Sequence, residues 1–256
     1  MMSCQADYNL LAITMVPTPY KIHHIRRRTS TGITLASFCT LNAILKFDCD
    51  ESPYCVYNEH VATKLAQTLH LPVADGVLTS TGDGPAYASL EIASPGLSLP
   101  DLLESQHSKA ASLYPNETAA LVAFDILIGN NDRGRNLKAS LVTPHIKIFK
   151  AFDHSHCLLT VEETPEDSIK RLLNGDLITT SHPFYGHVRQ SLLDDWIKRI
   201  AVVDDTYINE CCLMGKQFRA VSEDQQRKLA SALIRRKEVL SNIVSKNIGR
   251  IAPCLL

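Results

Sequence analysis

The sequence predicts an α+β chain in two lobes, rich in strands at the front and helical behind. Three observations carry this. Apolar and polar residues alternate through much of the first third, as half-buried strands require. The stretch "SPGLSLP", Ser94 to Pro100, then interrupts both periodicities with its prolines and glycine. Beyond it, apolar positions recur mostly at helical spacing behind capping residues. Residues 1–93 are accordingly assigned to a first lobe of sheet plus one helix, and residues 94–256 to a second, mainly helical lobe.

In "TLNAILKFDCD", Leu41, Ala43, Leu45 and Phe47 alternate with Asn42, Ile44, Lys46 and Asp48. That is a strand with one apolar face and with Lys46 pointing away from it. Val61, Leu65 and Leu69, with Ala62 and Ala66, then mark a helix for which Asn58 is the expected N-cap, placing Glu59 in its first turn. Residues 71–78 and 85–93 read as strands joined by the turn "TGDG", Thr81 to Gly84. Pro100 suits the first turn of a helix through Leu102 and Leu103. Asn116 is expected to cap a helix from Glu117 to Ile128, with Ala120, Phe124 and Leu127 on one face and Gly129 as terminator. Two strands follow, Leu137 to Val142 and His145 to Phe152, with Pro144 between them. In the remainder, Ser222 to Gln225 forms a capping box ahead of Leu229, Leu233 and Val239, and the single Trp lies in a helical segment from Leu192 to Ile200.

Composition narrows the function classes. In 256 residues, 45% are hydrophobic and 21% charged, which is enough for a sizeable core. A net charge of −1 gives no overall field toward nucleic acid or acidic lipid, and Arg26 to Arg28 read as a solvated edge. The longest apolar segment, Ala119 to Ile128, is too short to span a bilayer and contains Asp125. The N-terminal stretch lacks a basic start and carries Asp7, so no secretory signal is expected. The eight cysteines include no CxxC pair, which favours reduced thiols in a cytoplasmic chain over a disulfide frame or zinc site.

The chemistry gathers after Gly129. Asp132, Arg133 and Asn136 share one loop, and Asp153 follows the second strand, so a hairpin would return Asp153 to that loop. One amide and one carboxylate with open positions suit a magnesium ion that keeps waters and accepts phosphate oxygens. Asp132 is then free to orient or deprotonate a hydroxyl attacking a terminal phosphate. Such a site also needs a held cation on the phosphates, and Lys46 with Glu59 has the order and spacing to supply it. Upstream, Ser30, Thr31 and Gly32 form a turn whose N–H groups could cap phosphates. Arg133 is expected to pair with a carboxylate and brace the loop, and His154 and His156 to be hydrogen-bonding loop residues rather than zinc ligands.

"FDILIGNNDRGRNL" followed by "FDHS" resembles the Asp-Arg…Asn loop and downstream Asp of the HipA-like kinases, which share a site plan with the type II phosphatidylinositol 4-kinases. "ILKF" and "YNEHVATKLAQTLHLPV" resemble that family's nucleotide-lysine strand and following helix, so the likeness spans about Asn42 to Leu159. Gly134 stands where many relatives carry His. The resemblance implies a bilobal protein-kinase-like fold, with Asp132 catalytic, Asn136 and Asp153 holding Mg2+, Lys46 on the ATP phosphates and Glu59 as its partner. It also implies that "AYASLEIAS", with Ala88 and Glu91, supplies the strand whose backbone meets adenine. The implied activity is transfer from ATP to Ser or Thr of a protein substrate, the chain itself included. A lipid or small-molecule kinase, and a nucleotide-binding interaction module without turnover, stay open beside it.

Overall fold

The computed structural model describes residues 19–28, 36–93, 99–142 and 147–253. The expected boundary stretch at 94–98 and the turn at Pro144 lie outside these residues. Among them the chain is mixed α/β. Strands β1 (Ile22–Arg28) and β2 (Ser37–Leu41) form an antiparallel ribbon, and β3 (Ala43–Lys46), β4 (Gly76–Thr81) and β5 (Gly84–Leu90) form an antiparallel sheet ordered β3-β5-β4. The β4–β5 hairpin turns at Gly82 and Asp83, and Gly84 enters the return strand at φ 114°, a conformation that glycine adopts freely.

Strand β3 forms, but its apolar face is not buried: Leu45 and Phe47 are 49% and 40% exposed, and Ile44 on the other face is exposed as well. Only the Lys46 end is covered, its side chain 15% exposed and lying opposite buried Tyr87 in the register. Helix α1 (Cys55–Thr68) packs against β4 and β5. It begins before Asn58, which is buried inside it and is not its cap. The Asn58 amide instead donates to the carbonyls of Ser155 and Leu159, both at 2.8 Å, and accepts the Leu159 N–H at 3.3 Å. A cap would have spent that side chain locally; burial of its turn against the 155–159 segment redirects it to three main-chain groups.

Pro100 does not start a helix. Leu102 N–H donates to the Leu137 carbonyl at 2.8 Å and Asp101 bridges Lys138, so this segment runs extended beside β6 (Leu137–Ala139). A 3₁₀ turn (Glu104–Gln106) then leads into α2 (His107–Leu113). Helix α3 (Pro115–Ile128) starts at a proline, which suits the first helical position, and leaves Asn116 inside the first turn to accept the Trp196 indole N–H at 3.0 Å. Every residue from Thr118 to Ile128 is buried, so α3 is a central helix rather than one with a single apolar face. Gly129 ends it at φ 68° with its N–H on the Asp125 carbonyl, as the sequence predicts.

Strand β7 (Phe149–Ala151) pairs antiparallel with β6, placing Leu137 opposite Ala151. Helices α4 (Pro165–Leu173), α5 (Gln190–Ala201), α6 (Asp205–Cys212), α7 (Glu223–Lys246) and α8 (Ile248–Ile251) complete the described chain. The capping box of α7 is formed in both directions, Gln225 N–H to Ser222 Oγ at 3.2 Å and Ser222 N–H to Gln225 Oε1 at 2.8 Å. One apolar cluster runs from Val56 and Leu65 of α1 through Phe124 of α3 to Leu233 and Leu240 of α7, so α1 shares its core with the helices behind it. No described helix is long and apolar enough to cross a membrane.

Candidate active site

Where α3 ends, a buried carboxylate organises the loop that follows. Asp125 has no exposed surface. Its Oδ1 accepts from Asn130 Nδ2 and Arg133 Nη2, both at 3.0 Å, and its Oδ2 from Arg133 Nε at 2.8 Å. His182 Nε2 lies 3.1 Å from the same Oδ2. Since Phe184 N–H donates to His182 Nδ1 at 3.2 Å, the proton of this histidine sits on Nε2 and is given to Asp125. Burial alone would raise the Asp125 carboxyl, but the Arg133 charge and the hydrogen bonds of His182 and Arg133 outweigh it and hold the group well below the usual carboxylate range. Burial lowers the affinity of His182 for a second proton, in keeping with a neutral ring.

That knot sets the loop. Asn130 Oδ1 accepts the Asp132 N–H at 3.0 Å, leaving the Asp132 side chain exposed on a pinned backbone. Asn136 Nδ2 donates to the Asp132 carbonyl at 2.6 Å and reaches its Oδ2 at 3.4 Å. Arg133 Nη1 donates to the Phe152 carbonyl at 2.6 Å, and Phe152 N–H donates to the Asn136 carbonyl at 3.0 Å. The residue before Asp153 is therefore clamped to the Asp132 loop, as a returning hairpin requires. Arg133 braces the loop as expected, with Asp125 as its carboxylate.

Asp153 sits at φ 59°, in the left-handed region that Asp tolerates better than β-branched residues do. Its Oδ1 accepts from Ser155 Oγ at 2.6 Å and lies 2.9 Å from Lys46 Nζ. Lys46 also meets Glu59 Oε1 at 2.5 Å, and that oxygen accepts the His154 N–H at 2.9 Å. The structure thus joins Lys46, Glu59 and Asp153 in one contact. Burial opposes the charge on Lys46, but Glu59 and Asp153 more than offset it and raise its pKa. Burial likewise opposes ionisation of Glu59, where the His154 hydrogen bond and charge and then Lys46 prevail. For Asp153, Lys46 and Ser155 overcome burial and hold the carboxyl well below its usual range.

No protein-family model and no curated protein matches the sequence. Solved structures do. The proinflammatory kinase CtkA of Helicobacter pylori superposes with a TM-score of 0.58 at 17% identity, covering 87% of this chain and 94% of that one. HipA of Shewanella oneidensis MR-1, from its toxin–antitoxin complex with HipB and operator DNA, superposes with a TM-score of 0.52 at 15% identity. That match covers 92% of this chain and 66% of that one. The chain has the fold of the HipA-like kinases.

Within this HipA-like fold the remaining expected residues fall unevenly. Ala88 lies mid-strand in β5, opposite Leu45 on one side and Val77 on the other. Its backbone therefore faces a paired strand whichever way it points, and pairing continues beyond the strand through the Leu90 and Ala93 N–H groups, on the Asp75 and Pro19 carbonyls. Glu91 ties down the end of the sheet, its N–H on the Asn42 carbonyl at 3.0 Å and its Oε2 accepting from Asn42 Nδ2 at 2.8 Å. Ser30, Thr31 and Gly32 lie outside the described residues. Asn130 and His182, which position the site, are not singled out by the sequence, Asn58 is read there only as a helix cap, and Asp125 shows only as an ionisable residue in an apolar run.

The oxygens of Asn136 and Asp153 are of the kind that fits a magnesium ion. Among the described residues no donor reaches Asp153 Oδ2 or Asn136 Oδ1, which leaves two hard oxygens at the ends of paired strands.

Proposed function

We propose that the chain is an ATP- and magnesium-dependent kinase that phosphorylates Ser or Thr hydroxyls of a protein, itself included. The observation that supports this most is the Lys46–Glu59–Asp153 contact, locked through Phe152 and Arg133 to the loop carrying Asp132. Residues 1–93 would provide the nucleotide face and residues 94–256 the catalytic loop.

Each residue then has a chemical task. Lys46, kept charged and aimed by Glu59, contacts the α and β phosphates. Asn136 and Asp153 offer oxygens to magnesium, which when bound neutralises charge on the phosphate oxygens. Asp132 accepts the acceptor's proton as its oxygen bonds to the γ-phosphorus; the bond from that phosphorus to the β–γ bridging oxygen breaks and ADP leaves. Because the Asp132 main chain is fixed by Asn130 and Asn136, the carboxylate needs little reorganisation to do this.

The test is incubation with γ-labelled ATP and magnesium, read by intact mass and by label on the chain and on added proteins, for wild type, Asp132→Ala and Asp153→Ala. Wild type is expected to gain or transfer a phosphoryl group and both variants to lose that ability. No phosphoryl transfer by folded wild type would overturn the reading in favour of a non-catalytic module, and transfer undiminished in both variants would overturn the residue assignment.

A further inference from the structure

Beside Asp132 lies a trough of about 1060 Å³. Its floor is Asn131, Asp132, Gly134 and Arg135; one wall is the segment from Asp101 to Glu104 and the other runs from Ser181 to Tyr185. Lys46, Glu59 and Asp153 do not line it, so it approaches Asp132 from a side separate from the nucleotide lysine. Slightly larger than the ~300–1,000 Å³ usual for small ligands, it has room for an extended segment of polypeptide.

The charges of the trough are mostly spent. Asp101 is paired with Lys138 at 3.2 Å, and His182 is bonded to Asp125. Burial lowers the pKa of His107, keeping it neutral. Arg133, next to Asp132, is consumed by Asp125. Arg135 differs from all of these: it is exposed, and no carboxylate pairs with it among the described residues. Between it and Asp132 the chain carries Arg133, whose side chain is buried on Asp125, and Gly134, beside which a Cβ would meet nothing within 4 Å. The backbone beneath Arg135 is held on both sides, by Arg133 on Asp125 and by Asn136 on Phe152. Exposed Glu104 and Asp132 also line the trough and would repel an acid placed beside them, whereas Arg135 is the only Arg or Lys among its described lining residues and the only strong cation there to hold one.

We propose that this trough seats the acceptor segment and that Arg135 selects acceptors carrying an acidic side chain close to the reacting hydroxyl. The proposal rests on the phosphotransfer reading and deepens it. A guanidinium on a braced loop can take a carboxylate through two parallel hydrogen bonds, whereas the same carboxylate near Glu104 is disfavoured. The acid thereby fixes the direction in which the segment lies.

The probe is a degenerate set of Ser- and Thr-containing peptides with one flanking position at a time fixed as Asp, Glu, Ala, Lys or Arg, phosphorylated with γ-labelled ATP. Wild type is expected to favour Asp or Glu over Lys by about tenfold at one position. Arg135→Glu should invert that preference and Arg135→Lys should weaken it, while KM for ATP moves by less than about twofold. Should Arg135→Glu leave the flanking preference unmoved, or raise KM for ATP in its place, the proposal fails and the kinase reading stands. If wild type labels neither peptide nor itself, the kinase reading fails and the proposal falls with it.

Discussion

Asp125 and Arg133 have no exposed side-chain surface, while Lys46 and Asp153, one loop away, keep 15% and 32% of theirs. The Asp125 carboxylate takes hydrogen bonds on both oxygens from Asn130, Arg133 and His182, and the Asp153 carboxylate has its donors on Oδ1 alone. Both clusters are ionic and both carry depressed carboxyl pKa values, yet they suit opposite tasks. A sealed and saturated pair cannot trade partners, so it fixes the position of the loop. A half-open pair with spare oxygens can exchange Lys46 for incoming ligands at modest cost, because water screens what is lost.

The strongest way to break this contrast is Asp125→Asn, which leaves the Arg133 guanidinium buried without a counter-charge. A loss of about 3–5 kcal/mol is expected from urea unfolding, with substantial recovery when Arg133→Met is added to Asp125→Leu. Wild-type stability for Asp125→Asn would mean that the knot is not the anchor its geometry indicates. Asp153→Ala should show the reverse profile. Phosphoryl transfer should fall by at least about 10²–10³-fold while unfolding free energy changes by less than about 1 kcal/mol, measured on the same preparation. Asn58→Ala would strip partners from the Ser155 and Leu159 main chain and should cost about 1–3 kcal/mol, with faster amide exchange at Leu159.

Acid provides the mildest test. The folded carboxyls of Asp125 and Asp153 titrate below their unfolded values, so their contribution is complete above about pH 5 and declines as pH falls through the unfolded pKa toward the lower folded one. Urea midpoints should therefore drop as pH falls from about 5 to about 2, and the drop should shrink in the Asp125→Leu/Arg133→Met variant. An identical pH slope in that double variant would assign the acid sensitivity to other carboxylates.

How far the sequence reaches follows the same division. Lys46, Glu59, Asp132, Asn136 and Asp153 could be grouped from the sequence because they stand near element ends, where spacing is readable, and the structure brings them into contact. Their contacts span at most one hairpin or one strand–helix step, except for the return of Asp153 to Lys46. His182 lies 57 residues from Asp125, and no local pattern can announce such a pairing. Asn58 misleads for another reason: a polar residue at the front of an apolar period reads as a cap, and only tertiary packing reveals that α1 begins earlier. At Leu45 and Phe47 the alternation correctly marks a strand but not burial, since both stay exposed and so does Ile44 on the other face. Alternation separates the two sides of a strand without saying what covers either. Pro100 failed as a helix start because the backbone beside it is taken by β6.

Helix α1 is fastened to the body behind it twice in succession. Tyr57 Oη donates to the Cys212 carbonyl at 2.8 Å, and Asn58 grips the 155–159 segment. Glu59 comes next in the chain, so it cannot swing away from Lys46 unless both fastenings open. The Lys46–Glu59 contact is thus set by how α1 packs on the helical body, and whatever loosens that packing would loosen the ion pair with it.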